Sequence, residues 1–289
     1  MNSQSLSKER VLIVGCGDIG QRLALCLPQD KYEVTGLRRN PPEDLSFLRY
    51  QACDVTNAEE FGEVLKQDFA VIVISMTPSE RSDAGYRRAY VQTCQNLVDE
   101  LRTQALKPRL LIFVSSSAVY GQMDGSWVDE SSLTEPDGYS GKRLLEAEAT
   151  IQKGGYPNTI VRFSGIYGPN RNRLIEQVRQ KKASSSSHIT NRIHADDCAA
   201  SLAHLIELNR NGQGLQPTYL ATDSAPTAMI DVVTWLAEQM GIADFLSDEA
   251  TNERGNKRCS NQRLIDSGYV FRYPTFKEGY AAVLADLKV

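Results

Sequence analysis

Residues 11–24 read VLIVGCGDIGQRLA, and the fold turns on this stretch. An apolar run from Arg10 to Val14 stops at Gly15. A helical pattern then follows through Ile19, Leu23, Ala24 and Leu27, and Pro28 ends it. The pattern Gly15-x-Gly17-x-x-Gly20 therefore sits between a strand and a helix, the context in which that spacing is informative. Gly15 makes the tight turn, Gly17 lets a pyrophosphate approach the backbone, and Gly20 lets the helix pack on the strand. With Asp18 and Ile19, these residues open a helix whose free N–H groups and partial positive charge suit phosphate. The expected ligand is a dinucleotide.

Further along, Tyr32 to Leu37, Val71 to Ser75 and Leu110 to Ser115 are apolar runs without alternation, as expected of parallel strands buried on both faces. Ala58 to Leu65 and Ala89 to Leu101 have helical spacing between them. Arg143 to Ile151, Ala195 to Leu208 and Thr227 to Gln239 are further expected helices. Asn158 to Phe163 and Tyr219 to Ala221 are expected strands. Strands alternating with helices predict an α/β fold, a Rossmann doubly wound parallel sheet with a smaller C-terminal substrate lobe. The expected division is 8–163 and 188–224 for the NAD(P)-binding part, and 164–187 and 225–289 for the lobe. Lys181 to Ser187, with four consecutive serines, reads as a flexible surface loop.

The end of the second strand bears on the cofactor. An Asp or Glu there would bond the ribose 2′-hydroxyl of NAD. Here the chain reads Gly36-Leu37-Arg38-Arg39, with Arg38 placed 18 residues after Gly20. Two guanidinium groups suit a 2′-phosphate, which an arginine fork bonds in bidentate fashion, so NADP is favoured over NAD.

Three motifs follow in order. Phe113-Val-Ser-Ser116-Ser-Ala-Val-Tyr-Gly121 ends a strand, Tyr139-Ser-Gly-Lys142-Arg143 opens a helix, and Arg162-Phe-Ser-Gly-Ile-Tyr-Gly-Pro169 ends another strand. With the glycine loop, they resemble the extended short-chain dehydrogenase/reductase family, the NAD(P)-dependent epimerase/dehydratases. Asp54-Val55 resembles that family's adenine contact. Asn191 to Asp197 resembles its IHVDD segment, and Arg258 to Gly268 its C-terminal region. The resemblance implies a catalytic Tyr at Tyr139 and a hydroxyl at Ser116 that holds the substrate oxygen. It also implies a Lys four residues after the Tyr, but Arg143 occupies that position and Lys142 comes one residue early. An arginine's charge is permanent, so it can bias a tyrosine but cannot relay a proton. Ser117-Ala118 stands where the family's dehydratases carry an acidic pair, which leaves reduction, oxidation or epimerisation. The expected function is an NAD(P)-dependent oxidoreductase or epimerase acting on a hydroxyl or carbonyl of a polar, nucleotide-sugar-like small molecule. The rival reading is a dinucleotide-binding or redox-sensing protein without turnover.

Composition narrows the classes. Over 289 residues, 41% hydrophobic and 24% charged content is ordinary for a folded domain and argues against wholesale disorder. A net charge of −4, without basic blocks, gives no reason to expect a nucleic-acid partner. No run of about 18 apolar residues predicts a membrane span, and Met1 to Arg10 does not read as a signal peptide. The six cysteines form no C-x-x-C pair and most lie in apolar segments, so a cytoplasmic, reduced protein is expected. His194 with Asp196 and Asp197 reads as structural, and no metal is expected. Trp127 and Trp235 are expected to pack. Arg162, Arg171, Arg173, Lys257 and Arg258 are candidate contacts for a substrate anion. A homodimer is the expected assembly.

Overall fold

The computed structural model describes residues 8–247 and 255–287. In chain order the elements are β1 (Glu9–Val14), α1 (Asp18–Cys26), β2 (Tyr32–Arg38), β3 (Arg49–Ala52), α2 (Ala58–Leu65), β4 (Val71–Ile74), α3 (Asp83–Tyr86), a π-helical segment (Arg87–Gln92), α4 (Thr93–Thr103), β5 (Leu110–Ser116), β6 (Trp127–Val128), α5 (Tyr139–Lys153), β7 (Asn158–Phe163), β8 (Gly165–Tyr167), α6 (Arg173–Arg179), β9 (Ile189–Thr190), β10 (Arg192–His194), α7 (Ala195–Arg210), β11 (Thr218–Ala221), β12 (Thr227–Ala228), α8 (Met229–Met240), β13 (Arg258–Cys259), α9 (Gln262–Asp266) and α10 (Phe276–Asp286).

Seven strands form one sheet in the order β11-β7-β5-β4-β1-β2-β3. β1 pairs in parallel with both β2 and β4, so the chain reverses its direction of winding at β1. Open α/β sheets bind ligands at the carboxyl ends of the strands flanking such a reversal. β4 and the Val11–Val14 stretch of β1 consist of Val, Leu and Ile that are almost wholly buried. Branched side chains with no polar alternation suit strands covered on both faces, which is why these runs read as central strands.

Contacts divide the chain into two compact units. The first contains 1–119, 135–162 and 199–219; the second contains 120–134, 163–198 and 220–289. In the second unit, α6, α8 and α10 enclose a core of Ile175, Val178, Val232, Leu236, Tyr280 and Val283. α10 starts with a capping box, in which the Thr275 and Glu278 side chains each satisfy the other's backbone N–H.

Several local expectations change. The stretch from Ala89 begins inside the π-helical segment and becomes α-helical at Thr93. The helix expected from Thr227 begins at Met229, because Thr227 and Ala228 pair with Thr190 and Ile189 as strands. The serine-rich loop is anchored: Ala183 is buried and Lys181 forms an ion pair with Asp244. Trp127 does not pack. It is 63% exposed, whereas Trp235 lies edge-on against Phe276.

Candidate dinucleotide and active site

The glycine loop connects β1 to α1. Gly15 has φ +78°, and a Cβ there would lie 2.6 Å from the Met76 sulfur, so both its conformation and its neighbours demand glycine. Gly17 is different: a Cβ built on it meets nothing within 4 Å. It borders open space, which is a cradle that a side chain would fill. Gly17 is also the N-cap of α1 and supplies no side-chain hydrogen bond. By contrast, Asn57 caps α2 by accepting from the N–H groups of Glu59 and Glu60. The first turn of α1 thus presents backbone donors and the positive end of its dipole without a protein cap.

A cavity of about 530 Å³ opens beside this turn, with Gly15, Gly17, Arg38, Arg39, Asp54 and Val55 in its wall. These residues come from the carboxyl ends of β1, β2 and β3, as the strand reversal requires. Size, open cradle and paired guanidinium groups fit a dinucleotide. Asp18, Ile19 and Gly20 are not in the wall. Asp18 accepts from Arg22 at 2.9 Å, Ile19 is buried, and a Cβ on Gly20 would lie 2.9 Å from the Cys16 sulfur. Asp54 Oδ1 accepts from the Thr56 hydroxyl at 2.7 Å and its N–H at 3.0 Å, and these bonds hold its carboxyl below the usual carboxylate range. The Val55 carbonyl accepts from Asn96. Sequence reasoning missed Ser79, Glu80 and Arg88, which also line the cavity. No motif marks them: Ser79 and Glu80 lie in the connection after β4, and Arg88 lies in the π-helical segment.

The four candidate catalytic residues belong to the same unit but lie outside the cavity wall. Ser116 ends β5, and its Oγ accepts from the Ala118 N–H at 3.2 Å. Tyr139 is the first residue of α5 and is 40% exposed; its hydroxyl donates to the Arg81 carbonyl at 2.7 Å. Lys142 is exposed. Arg143 forms a side-on fork with Asp83, Nε to Oδ1 and Nη2 to Oδ2, both 2.9 Å, and also reaches Glu146 at 2.6 Å. The fork holds the Asp83 carboxyl below its ordinary range, and Asp83 and Glu146 push the Arg143 guanidinium further up.

Behind Ser116 lies a buried network. Glu148 Oε1 accepts from the Ser115 hydroxyl at 2.6 Å and from Arg162 Nε at 3.0 Å, while Oε2 accepts from Arg162 Nη2 at 2.6 Å. Arg162 is therefore an internal tie between β7 and α5, not a substrate contact. Asp197 is likewise structural, accepting from the Tyr269 hydroxyl and the N–H groups of Arg272 and Tyr273. Lys257 is buried against the Tyr120 carbonyl. Among the described residues, no helix is long and apolar enough to cross a membrane.

Residues 11–217 match the model of the NAD dependent epimerase/dehydratase family. Protein YeeZ of Escherichia coli K12 is 30% identical over 216 residues, covering 71% of this chain and 75% of that one. A solved structure from Methylobacillus flagellatus, assigned to the NAD-dependent epimerase/dehydratases, is 37% identical with a TM-score of 0.83, covering 98% and 100% of the two chains. UDP-glucuronic acid 4-epimerase from Bacillus cereus, solved with UDP-glucuronic acid and NAD, shares the fold at 19% identity and a TM-score of 0.82, over 97% and 99%. With the glycine loop, the strand reversal and the cavity between them in place, these matches show that the chain belongs to the NAD-dependent epimerase/dehydratase family.

Proposed function

We propose that the protein is an NADP(H)-dependent oxidoreductase or epimerase acting on a hydroxyl or carbonyl of a polar, nucleotide-sugar-like substrate. The observation that carries this reading is the cavity beside Gly17, with Arg38 and Arg39 in its wall. The open cradle suits the pyrophosphate. The two guanidinium groups at the end of β2 suit the 2′-phosphate that distinguishes NADP from NAD. Bound there, the nicotinamide would supply a hydride acceptor or donor. Ser116 Oγ would hold the substrate oxygen by a hydrogen bond. Tyr139 would take the hydroxyl proton as the alcohol is oxidised and return it in the reverse step. Lys142 is the cation this reading offers to Tyr139, because the Arg143 donors are taken by Asp83 and Glu146. The bacterial epimerase cited above, solved with a nucleotide sugar, supports that substrate class.

A second reading, dinucleotide binding without turnover, is favoured by one specific observation. The Tyr139 hydroxyl spends its proton on the Arg81 carbonyl, and Arg143 is engaged elsewhere. Calorimetry with NADPH and NADH, on wild type and Arg38→Ala, tests the cofactor. NADPH should bind more tightly, and the substitution should remove most of the difference. Equal affinities that the substitution does not change would sink the preference. Cofactor absorbance with a panel of sugar nucleotides and simple carbonyls separates the two readings: tight NADPH binding with no turnover on any of them selects the second.

A further inference from the structure

Two consecutive turns of α5 grip one short stretch of chain. Tyr139 donates its hydroxyl proton to the Arg81 carbonyl, and its ring stands edge-on to Tyr86 with centroids 5.5 Å apart. One turn later, Arg143 holds both carboxylate oxygens of Asp83. Side-on forks of this kind are directional as well as attractive, since both N–H···O bonds must align together. The gripped stretch also builds the cavity: Ser79, Glu80, Gly85 and Arg88 are in its wall, while Asp83 and Arg143 are not. The stretch is tied together internally. A Cβ on Gly85 would lie 2.3 Å from the Glu80 carbonyl oxygen, so the chain at 80 and 85 is in close contact around Asp83. Ser82 Oγ accepts from the Gly85 N–H at 3.0 Å, and Glu80 pairs with Arg88 at 2.9 Å. The π-helical segment that follows, Arg87–Gln92, is an irregularity of a kind that recurs at functional sites.

We propose that Asp83 is a positioning residue for the cofactor site, and that Arg143 is its strut. The residue at the family's lysine position then serves the shape of the cavity rather than the proton on Tyr139. The fork fixes the stretch 79–88, which supplies part of the cavity wall, and sets Tyr139 against it, so cofactor affinity depends on two side chains outside that wall. This rests on the dinucleotide reading above.

The test is calorimetry of NADPH and NADH with the full chain as wild type, Asp83→Asn, Arg143→Met, Arg143→Lys and the Asp83→Asn/Arg143→Met double variant. Amide hydrogen exchange over 79–92 and thermal unfolding accompany it. Each of Asp83→Asn and Arg143→Met should weaken cofactor binding about fivefold, the scale of a well-aligned, partly exposed pair. The double variant should lose no more than either single one, because the two residues act as a unit. Arg143→Lys keeps the charge without the fork and should fall between. Exchange should quicken in 79–92 and stay unchanged in α2. Unchanged affinity in Asp83→Asn, losses that multiply in the double variant, or a lower melting temperature with affinity intact would each overturn the strut. If wild type binds neither cofactor, the dinucleotide reading falls and the strut falls with it.

Discussion

A side chain at position 17 would enter empty space, and that makes Gly17 a clean probe. Gly17→Val has room in the folded protein, since nothing lies within 4 Å of the built Cβ. The same volume is where a pyrophosphate would approach the helix N-terminus. The expected outcome is a chain with near-wild-type circular dichroism and melting temperature but no calorimetric signal with NADPH. Retained binding would move the phosphate site elsewhere. Tyr139→Phe keeps the ring against Tyr86 and removes the hydroxyl alone. Where a substrate turns over, kcat should drop about 10²–10⁴-fold, the usual range for loss of a general acid–base. Full activity would rule out Tyr139 as the acid–base. At this scale the sequence was most readable in the glycine loop, because its chemistry is contiguous: turn, cradle and helix start lie within six residues. It was least readable for Arg143, whose partner Asp83 is 60 positions away. Spacing along one helix cannot show which distant carboxylate a guanidinium will choose.

α5 works as a frame. One face carries Tyr139 and Arg143, and another sends Glu148 inward to Ser115 and Arg162. Burial of that ion pair is nearly complete, at 8% and 3% side-chain exposure. A buried pair adds little net stability over apolar packing, yet breaking it from one side is expensive, because an ion stays in a medium that solvates it poorly. Glu148→Ala removes the carboxylate that compensates Arg162 and should destabilise the protein by about 3–5 kcal/mol in urea unfolding. Glu148→Gln retains the shape and some of the hydrogen bonds, and should cost less. A loss under about 1 kcal/mol for the alanine variant would show that the charge is compensated in another way. The elements themselves were legible where apolar runs were long. β1, β4, β5 and β7 stand within a residue or two of their expected ends, since burial on both faces leaves a run with no alternation to misread. The π-helical segment was not legible. Its residues have ordinary helical spacing, and its neighbours, α5 and Phe113 of β5 against Tyr90, are remote in sequence.

For the molecule as a whole, one buried carboxyl, that of Asp223 in the second unit, adds a pH dependence to stability. Its carboxyl is 1% exposed, and burial pushes it up to about 7; Arg192 opposes that rise, and Glu278 and Asp197 add to it. Unfolded, the same group gives up its proton near pH 4. Between those values the native state holds the extra proton, so this group's contribution is complete below about pH 4, is lost as pH rises towards 7, and is flat above. Asp223→Asn should flatten that slope, so wild type loses stability relative to the variant between pH 4 and 7. Both tryptophans, Trp127 and Trp235, belong to the second unit, so their fluorescence during urea unfolding reports the relevant transition. Parallel curves for the two proteins across that window would remove Asp223 as the source. Nothing in the sequence singled this residue out. Thr222-Asp223-Ser224 looks like an ordinary turn, and only the burial of the loop turns a surface-type carboxylate into a group that favours its proton.

The thiol between the first two loop glycines has a practical consequence. Cys16 lies sealed under the loop, and burial lifts it to about 12; Cys53 and Cys259 rise for the same reason, and Cys94 and Cys198 are buried too. Burial shields all five from reagent, so they should resist alkylation in the folded protein. Cys26 is the exposed one, and it is the last residue of α1. A maleimide dye should therefore attach once per native chain, at the end of α1 far from the glycine loop. That gives a single fluorescent reporter on the helix that follows the glycine loop, without any engineered cysteine.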